Sequence, residues 1–471
     1  MTSLLAPDHP AAIDGLKIRE QVIVENTAGR VSRPFQVTHR QVFTIALPMM
    51  IAHFSTPLVS LAATGVVGQL RDQVLIGGVA LAAVIFDVLF VTFNFLRGAT
   101  TGFTAQAVGA GDRRLEQRML LGGILIALAA GLLILLFHVP IGHLGLAALD
   151  ADGAVGEAAW TYYAWRVWSA PFALFNFVVF GWVIGRGEAV TALLLQVVLN
   201  ALNLFLAFAG VLWLGLGLAG AGAASLIAEG LTAAIGAILI LQRTDRQLWE
   251  WPDLSTVKRM FSVNRDMMIR SFALLIGLSF FTRQSGVLGT EILAANTVLL
   301  RYYFLGVAFL DGFATAAEQL AGRAVGAFYR PAFDRVIKLT TLWGIVMALL
   351  VSAAFFLTGP AVVALIAPIP ETQALANTYL PYAAIMPLIG VIAFQMDGVF
   401  IGATWSREMR TLMLVSLACY FAAWAVLQPL FGNHGLWIAM LLFQGVRSIV
   451  FRLMLPKLAN RTFSASGAQR L

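Results

Sequence analysis

Residues 310–327 read LDGFATAAEQLAGRAVGA, a stretch apolar enough for a membrane helix that still carries Asp311 and Glu318. Seven residues is close to two helical turns, so both carboxylates fall on one stripe, about 10 Å apart along the axis. A mid-helix Asp costs roughly 2.5–3.5 kcal/mol on insertion scales, so the stripe must face protein or a water-filled cavity rather than lipid. The tail of the stretch, RAVGAF at 323–328, echoes QAVGAG at 106–111, and FGWVIGRG at 180–187 echoes DGVFIGAT at 397–404, both at a spacing of 217 residues. GLAGAG at 217–222 and GLWIAM at 435–440 repeat the pattern one residue out of step. Each match is short, and their common spacing is what predicts two copies of one unit.

The composition sets the environment. Of 471 residues, 59% are hydrophobic and 12% charged, and the mean hydropathy is +0.84. Soluble domains are roughly 45–50% apolar, so this is an integral membrane protein. Twelve apolar segments approach the ~20 residues that cross a bilayer as a helix. They are 41–69, 75–108, 117–138, 158–186, 190–213, 217–242, 265–289, 292–327, 335–358, 376–403, 410–430 and 435–458. The expected fold is all-α, with twelve transmembrane helices in two six-helix lobes, 41–242 and 265–458, joined by a cytoplasmic linker at 243–264. Six is even, so both lobes enter from the same side and form parallel repeats about an axis along the membrane normal.

Residues 1–40 hold Lys17, Arg19, Arg30, Arg33 and Arg40 without an apolar core, and are expected to be a disordered cytoplasmic arm rather than a cleaved signal. Residues 459–471 are expected to be a cytoplasmic tail. The single cysteine, Cys419, excludes an internal disulfide and a cysteine metal site. Lys and Arg gather in alternate connections, at Arg113, Arg114 and Arg118, at Arg186, at Arg243 to Arg265, at Arg330 to Lys338, and at Arg407 and Arg410. The intervening connections PIGHLGLAALDADGAVGE and GPAVVALIAPIPETQALAN lack them, which places both termini in the cytoplasm. The net charge of +7 is spread over these loops and implies no nucleic-acid partner.

Polar groups inside the spans mark the interior. Asp397, Asp311, Glu318 and Asp87 are the candidate cation-coupling carboxylates, because a carboxylate held out of water can exchange a proton or hold Na⁺. His53, Asn94, Arg97, Gln106, Asn176, Asn203, Arg283, Gln284, Tyr302 and Gln395 are the candidate lining of a substrate cavity. Phe90, Phe93, Phe175, Phe177 and Tyr303 add aromatic faces suited to a cation. The competing reading is structural, with Asp311 paired to Arg283 or Arg301. Pro57, Pro171 and Pro387 are hinge candidates, since an in-span proline removes a backbone hydrogen bond. The spans hold neither an H-E-x-x-H nor a paired D-x-x-x-D pattern, so no enzyme, metal or cofactor is expected beyond H⁺ or Na⁺ as coupling ion.

Taken in order, ALPMMIAHFSTPLVSLAATGVVGQL (46–70), NFLRGATTGFTAQAVGAGDRR (94–114), WSAPFALFNFVVFGWVIGRGEA (168–189), LAANTVLL (293–300), the 310–327 stretch and MDGVFIGATWSREMR (396–410) resemble the multidrug and toxic compound extrusion (MATE) family, in its DinF-like bacterial branch. The resemblance implies a V-shaped transporter of the inner membrane. It would export lipophilic, often cationic, small molecules in exchange for H⁺ or Na⁺, by alternating access between two lobes. Partners would be the small-molecule substrate, the coupling cation and membrane lipid, with a monomer sufficing for the cavity.

One departure bears on coupling. Where the resemblance leads one to expect an acid in the first helix, LAATGVVG has Ala63, and where a second is expected in the fifth helix, NLFLA has Ala207. Coupling is therefore expected to run through Asp397 and Asp311, with Asp87 as a supplementary first-lobe site. Two alternatives stand beside it: a lipid-linked precursor flippase of the same superfamily, kept open by Arg97, Arg283 and Arg301, and an uncoupled or specialised family member.

Overall fold

The computed structural model describes residues 24–25, 31–367 and 369–464. The side chains of residues 24, 25, 31 and 56–64 lie outside that description, and with them Pro57 and Ala63. The helices are α1 (His39–Gly68), α2 (Gln73–Phe93), α3 (Phe95–Ala110), α4 (Arg113–Leu136), α5 (His138–Ala147), α6 (Gly153–Arg166), α7 (Ala170–Gly185), α8 (Ala189–Phe208), α9 (Gly217–Arg243), α10 (Leu254–Val287), α11 (Thr290–Gly326), α12 (Arg330–Ile366), α13 (Pro370–Gly402) and α14 (Ser406–Phe463). A two-residue antiparallel pair, β1 (Val24–Glu25) with β2 (Val31–Ser32), precedes them.

With the ten-residue α5 set aside as a connection, three breaks reconcile the remaining helices of the described residues with twelve crossings. α2 and α3 form one crossing interrupted at Asn94, and α6 and α7 form one interrupted by a 3-10 turn at Val167–Ser169. α14 contains two crossings separated at Gly432, whose φ of 56° only glycine adopts without strain. Side-chain caps set several starts: Thr38 and Gln41 form a reciprocal capping box on α1, and Asp72, Asp112 and Asp253 accept from the first free amides of α2, α4 and α10.

Some sequence expectations need correction. The connection expected between helices three and four contains α5, and the one expected between nine and ten is nearly all helix, because α12 continues to Ile366 and α13 begins at Pro370. α10 starts at Leu254, inside the stretch read as linker, and α14 continues to Phe463, inside the stretch read as tail. Residues 31–38, read as part of a disordered arm, are tied down. The Arg33 amide donates to the Ala327 carbonyl at 3.1 Å, and Ser32 Oγ donates to the Phe328 carbonyl at 3.4 Å. Residues 1–23, 26–30 and 465–471 of the expected arm and tail lie outside the described residues.

The repeat is written into the backbone. Gly111 after α3 and Phe328 after α11 both take left-handed φ values, 63° and 50°, and Gly187 after α7 matches Thr404 after α13, at 83° and 55°. A Cβ on Gly181 would meet the Arg97 carbonyl, and one on Gly398 the Ala314 carbonyl. Likewise Gly185 lies against the Thr101 carbonyl and Gly402 against the Glu318 carbonyl. Each of these pairs preserves the 217-residue spacing, so the α3/α7 and α11/α13 crossings are the same joint built twice.

The lobes meet where α3 crosses α11. Gly109 lies against the Arg323 carbonyl and Gly326 against the Gln106 carbonyl, a reciprocal contact that puts the pseudo-two-fold axis between them. Without side chains at the crossing, the two backbones approach as closely as small-residue membrane helices do.

Candidate functional site

The α3/α11 seam is extended by amides. Gln106 Nε2 donates to the Gly402 carbonyl at 2.8 Å and to Thr404 Oγ1 at 3.2 Å, and Gln319 Nε2 donates to the Gly185 carbonyl at 3.3 Å. Gln106 is thus a lobe-to-lobe tie, not a cavity-lining residue as the sequence suggested. The seam lies at the end of the bundle that carries the basic connections, next to Arg113, Arg330 and Arg407.

Deeper along the same helices lies a mixed charge group drawn from both lobes. Asp311 and Glu318 stand on one stripe of α11, and Glu318 is only 3% exposed. Arg97 on α3 is the cation of the other lobe that acts on both carboxylates. Its Nε donates to Asn94 Oδ1 at 3.1 Å, while its buried Nη1 has no hydrogen-bond partner. Opposite them, His53 on α1 meets Thr315 Oγ1 at 3.4 Å, and Thr315 donates to the Asp311 carbonyl at 2.8 Å. Asp311, Glu318, Arg97, Asn94 and His53 are therefore brought together, whereas Asp87, which shares a sequence stripe with Asn94, is not part of the group.

The second lobe holds a different centre. Asp397 accepts from Arg270 of α10 and, at 2.7 Å, from Arg447 of α14, whose other arm donates to Gln444 at 2.6 Å. Gln444 donates in turn to the Tyr303 hydroxyl at 2.9 Å. The pairing suggested for Asp311 is wrong: Arg283 and Arg301 are exposed and neither forms an ion pair with it. Arg283 leaves the candidate cavity for that reason, although its neighbour Gln284 is buried. Tyr302 is a packing residue, stacked on Phe355 at 3.9 Å with its hydroxyl 2.9 Å from Thr358. Gln395 is fully buried against Gly344, with both amide atoms unpartnered.

In the first lobe Asp87 occupies the exposed face of α2, seven residues before Asn94. Asn176 on α7 donates to the Glu229 carboxylate of α9 at 2.6 Å and to its carbonyl at 3.0 Å. Asn203 on α8 donates to Ser225 at 3.0 Å, one helical turn before Glu229. Arg166, at the end of α6, lies among Phe86, Phe90 and Tyr162. Of the other hinge candidates, Pro171 follows a real break in the first turn of α7, whereas Pro387 sits inside continuous α13.

Glu229, Arg166, Arg270 and Arg447 were missed from sequence. All four are ionisable residues inside expected spans, which is the signal that marks them, but the sequence motifs do not single them out. Separate from these groups, Glu116, Trp182, Arg186, Glu188 and Arg243 form a hydrogen-bonded ion network at the basic end of the first lobe. Among the described residues no His, Cys, Asp or Glu grouping could hold a metal ion. Two apolar clefts of about 770 and 750 Å³ are lined by residues such as Phe205, Phe208 and Trp213, or Trp165, Trp168 and Phe172, and include none of the charged groups above.

Comparison with known proteins places this geometry. The MatE family model matches residues 48–209 and 267–430, once in each lobe. The chain is 36% identical over 410 residues to the DNA damage-inducible protein F of Escherichia coli strain K12, covering 86% of this chain and 89% of that protein. It is 21% identical over 431 residues to the "Probable multidrug resistance protein NorM" of Thermotoga maritima, covering 88% and 90%. A solved structure of the "Outward-facing conformation of a multidrug resistance MATE family transporter of the MOP superfamily" superposes with a TM-score of 0.83 at 21% identity, over 90% of this chain and 96% of that one.

Proposed function

We propose, because this chain belongs to the MATE family of multidrug and toxic compound efflux transporters, that it exports lipophilic or cationic small molecules in exchange for H⁺ or Na⁺. It works by alternating access of two lobes in the bacterial inner membrane, with both termini cytoplasmic. The observation that carries this reading is the charge group shared between lobes: Asp311 and Glu318 on one stripe of α11, and on α3 Arg97, whose buried Nη1, like Glu318 Oε1, has no hydrogen-bond partner and whose charge acts on both acids. A cation that neutralises either carboxylate changes its attraction to Arg97 and so alters how firmly the lobes hold together. Ligands shift such an equilibrium only through differential affinity for its two states, and a charge at the closing surface supplies that difference.

With the seam shut at the basic end, the described conformation fits the outward-facing half of the cycle. Asp397, engaged by two guanidiniums, serves better as an organiser of the second lobe than as the exchanging group. Asp87 remains a supplementary first-lobe site on this reading. The test is efflux of a fluorescent lipophilic cation from proteoliposomes under an imposed pH gradient, an imposed Na⁺ gradient, or none. Transport driven by one gradient identifies the ion. Gradient-independent behaviour by folded protein refutes coupling.

A second reading has one observation in its favour. Arg270 and Arg447 outnumber Asp397, and a centre of that sign suits the phosphate of a lipid-linked precursor. A lipid-flipping assay on the same vesicles separates the two.

A further inference from the structure

We propose, taking the cationic cargo of the preceding reading as given, that the aromatic cage around Arg166 is a binding subsite for a flat, charge-delocalised organic cation. In this subsite the Arg166 guanidinium is a tethered occupant that the ligand displaces. Its guanidinium carbon lies 4.7 Å from the centroid of the Phe86 ring, 5.6 Å from that of Tyr162 and 5.9 Å from that of Phe90. All three are cation–π distances, so the cage is already a cation box with a cation in it. One Nη donates to the Tyr162 hydroxyl at 2.7 Å, while the buried Nε has no partner.

The charges around the cage do not balance. Two carboxylates, Glu229 and Asp87, act on Arg166, yet among the described ion pairs it has none. Glu229 is held by Asn176, which is 2% exposed and keeps its own Oδ1 unpartnered. One guanidinium against two carboxylates leaves room for one more positive charge, and the unpartnered amide oxygen beside Glu229 favours the same sign.

The other lobe has no equivalent. Gly217 and Gly435 are 218 residues apart, and the same offset carries Glu229 onto Arg447. At corresponding places, then, the first lobe presents a carboxylate and the second a guanidinium already committed to Asp397. A cation entering the cage stacks on Phe90 and Phe86 with its charge beside Glu229. Arg166 then turns to Asp87, the residue next to Phe86 on the exposed face of α2. Charge is conserved in the exchange and no covalent bond is made or broken; Arg166 gives up its hydrogen bond to the Tyr162 hydroxyl.

The experiment is fluorescence anisotropy of ethidium, a flat monocation, with the purified full-length protein in detergent. Arg166→Gln removes the charge and keeps a donor for Tyr162, and is expected to tighten binding about fivefold or more. Glu229→Gln is expected to weaken it roughly tenfold. Asp87→Asn is expected to weaken binding severalfold with Arg166 present and clearly less in the Arg166→Gln background, where only its direct attraction for the ligand is lost and Arg166 needs no acceptor. Size-exclusion profiles check folding; if Glu229→Gln aggregates, the Arg166→Gln and Asp87→Asn pair carries the test. Arg166→Gln binding that is unchanged or weaker overturns the subsite. If all variants bind ethidium equally well, the subsite fails while the export reading stands. If wild-type protein neither binds ethidium nor shows gradient-driven efflux, both fail.

Discussion

Arg447, 1% exposed, donates to Asp397 at 2.7 Å from a helix fifty residues further along the chain. Arg270 reaches the same carboxylate oxygen from α10, so one acid ties α10, α13 and α14 together. Removing one partner from a buried pair leaves an uncompensated charge, which costs about 3–5 kcal/mol, whereas replacing the pair with apolar groups is often neutral. Asp397→Asn should therefore lower the melting temperature and yield, and an Asp397→Leu/Arg447→Met double variant should recover part of the loss. A single variant with unchanged melting, followed by size exclusion after heating, would contradict this structural role.

Asp311 and Glu318 should behave differently from Asp397. Neither carboxylate belongs to a described ion pair, unlike Asp397, so Asp311→Asn and Glu318→Gln are expected to leave melting within about 1 kcal/mol of wild type. Gradient-dependent efflux, normalised to protein in the vesicle, should fall at least severalfold in each. Normal gradient dependence in both variants would remove these residues from coupling.

The glycine crossing predicts a steric effect. A leucine at Gly326 would drive its Cβ into the Gln106 carbonyl, and one at Gly109 would meet the Arg323 carbonyl. Either change should hold the lobes apart at the basic end. With Cys419→Ser as background, a cysteine placed at fully buried Ala105 is expected to react with a maleimide several times faster in Gly326→Leu than in the parent. Equal labelling rates would mean that the seam closes regardless.

Thr404 is a β-branched residue at φ 55°, where its counterpart in the first lobe is Gly187. Left-handed backbone costs a non-glycine residue about 1–2 kcal/mol, and asparagine tolerates it better. Thr404→Asn should stabilise the protein by roughly 0.5–1 kcal/mol, provided the new side chain still accepts from Gln106. Thermal melting decides the sign.

Much of the architecture was readable because hydropathy and spacing are backbone-scale signals. The 217-residue echo picked out Gly109 and Gly326 as equivalents before any geometry, and the structure makes them reciprocal partners. The Asp311/Glu318 stripe followed from helical period alone, as did its need for a polar face. Pairing was not readable in the same way: Arg270 and Arg447 lie far in sequence from Asp397, and nothing local distinguishes them from the exposed Arg283 and Arg301. Gln106 misled for a similar reason, since an in-span amide suits a seam as well as a cavity. Connections differ from expectation where helices outrun the bilayer: Gly359 and Pro360 read as a break although α12 runs through them to Ile366, and the first turns of α13 from Pro370 are too polar to carry a hydropathy signal.

The two ends of the described chain converge on Phe328. Ser32 is bonded to its carbonyl, and the Phe463 ring lies 5.8 Å from its own. The segment between lobes, from Thr244 to Asp253, forms only a short turn and spans no membrane. Covalent order is thus a separable property of this molecule. A circular permutant that starts near Trp251 and joins the old ends through a brief polar tether would present the second lobe first, yet keep every inter-lobe contact. Its assembly would show that the halves recognise one another by shape and not by their sequence along the gene.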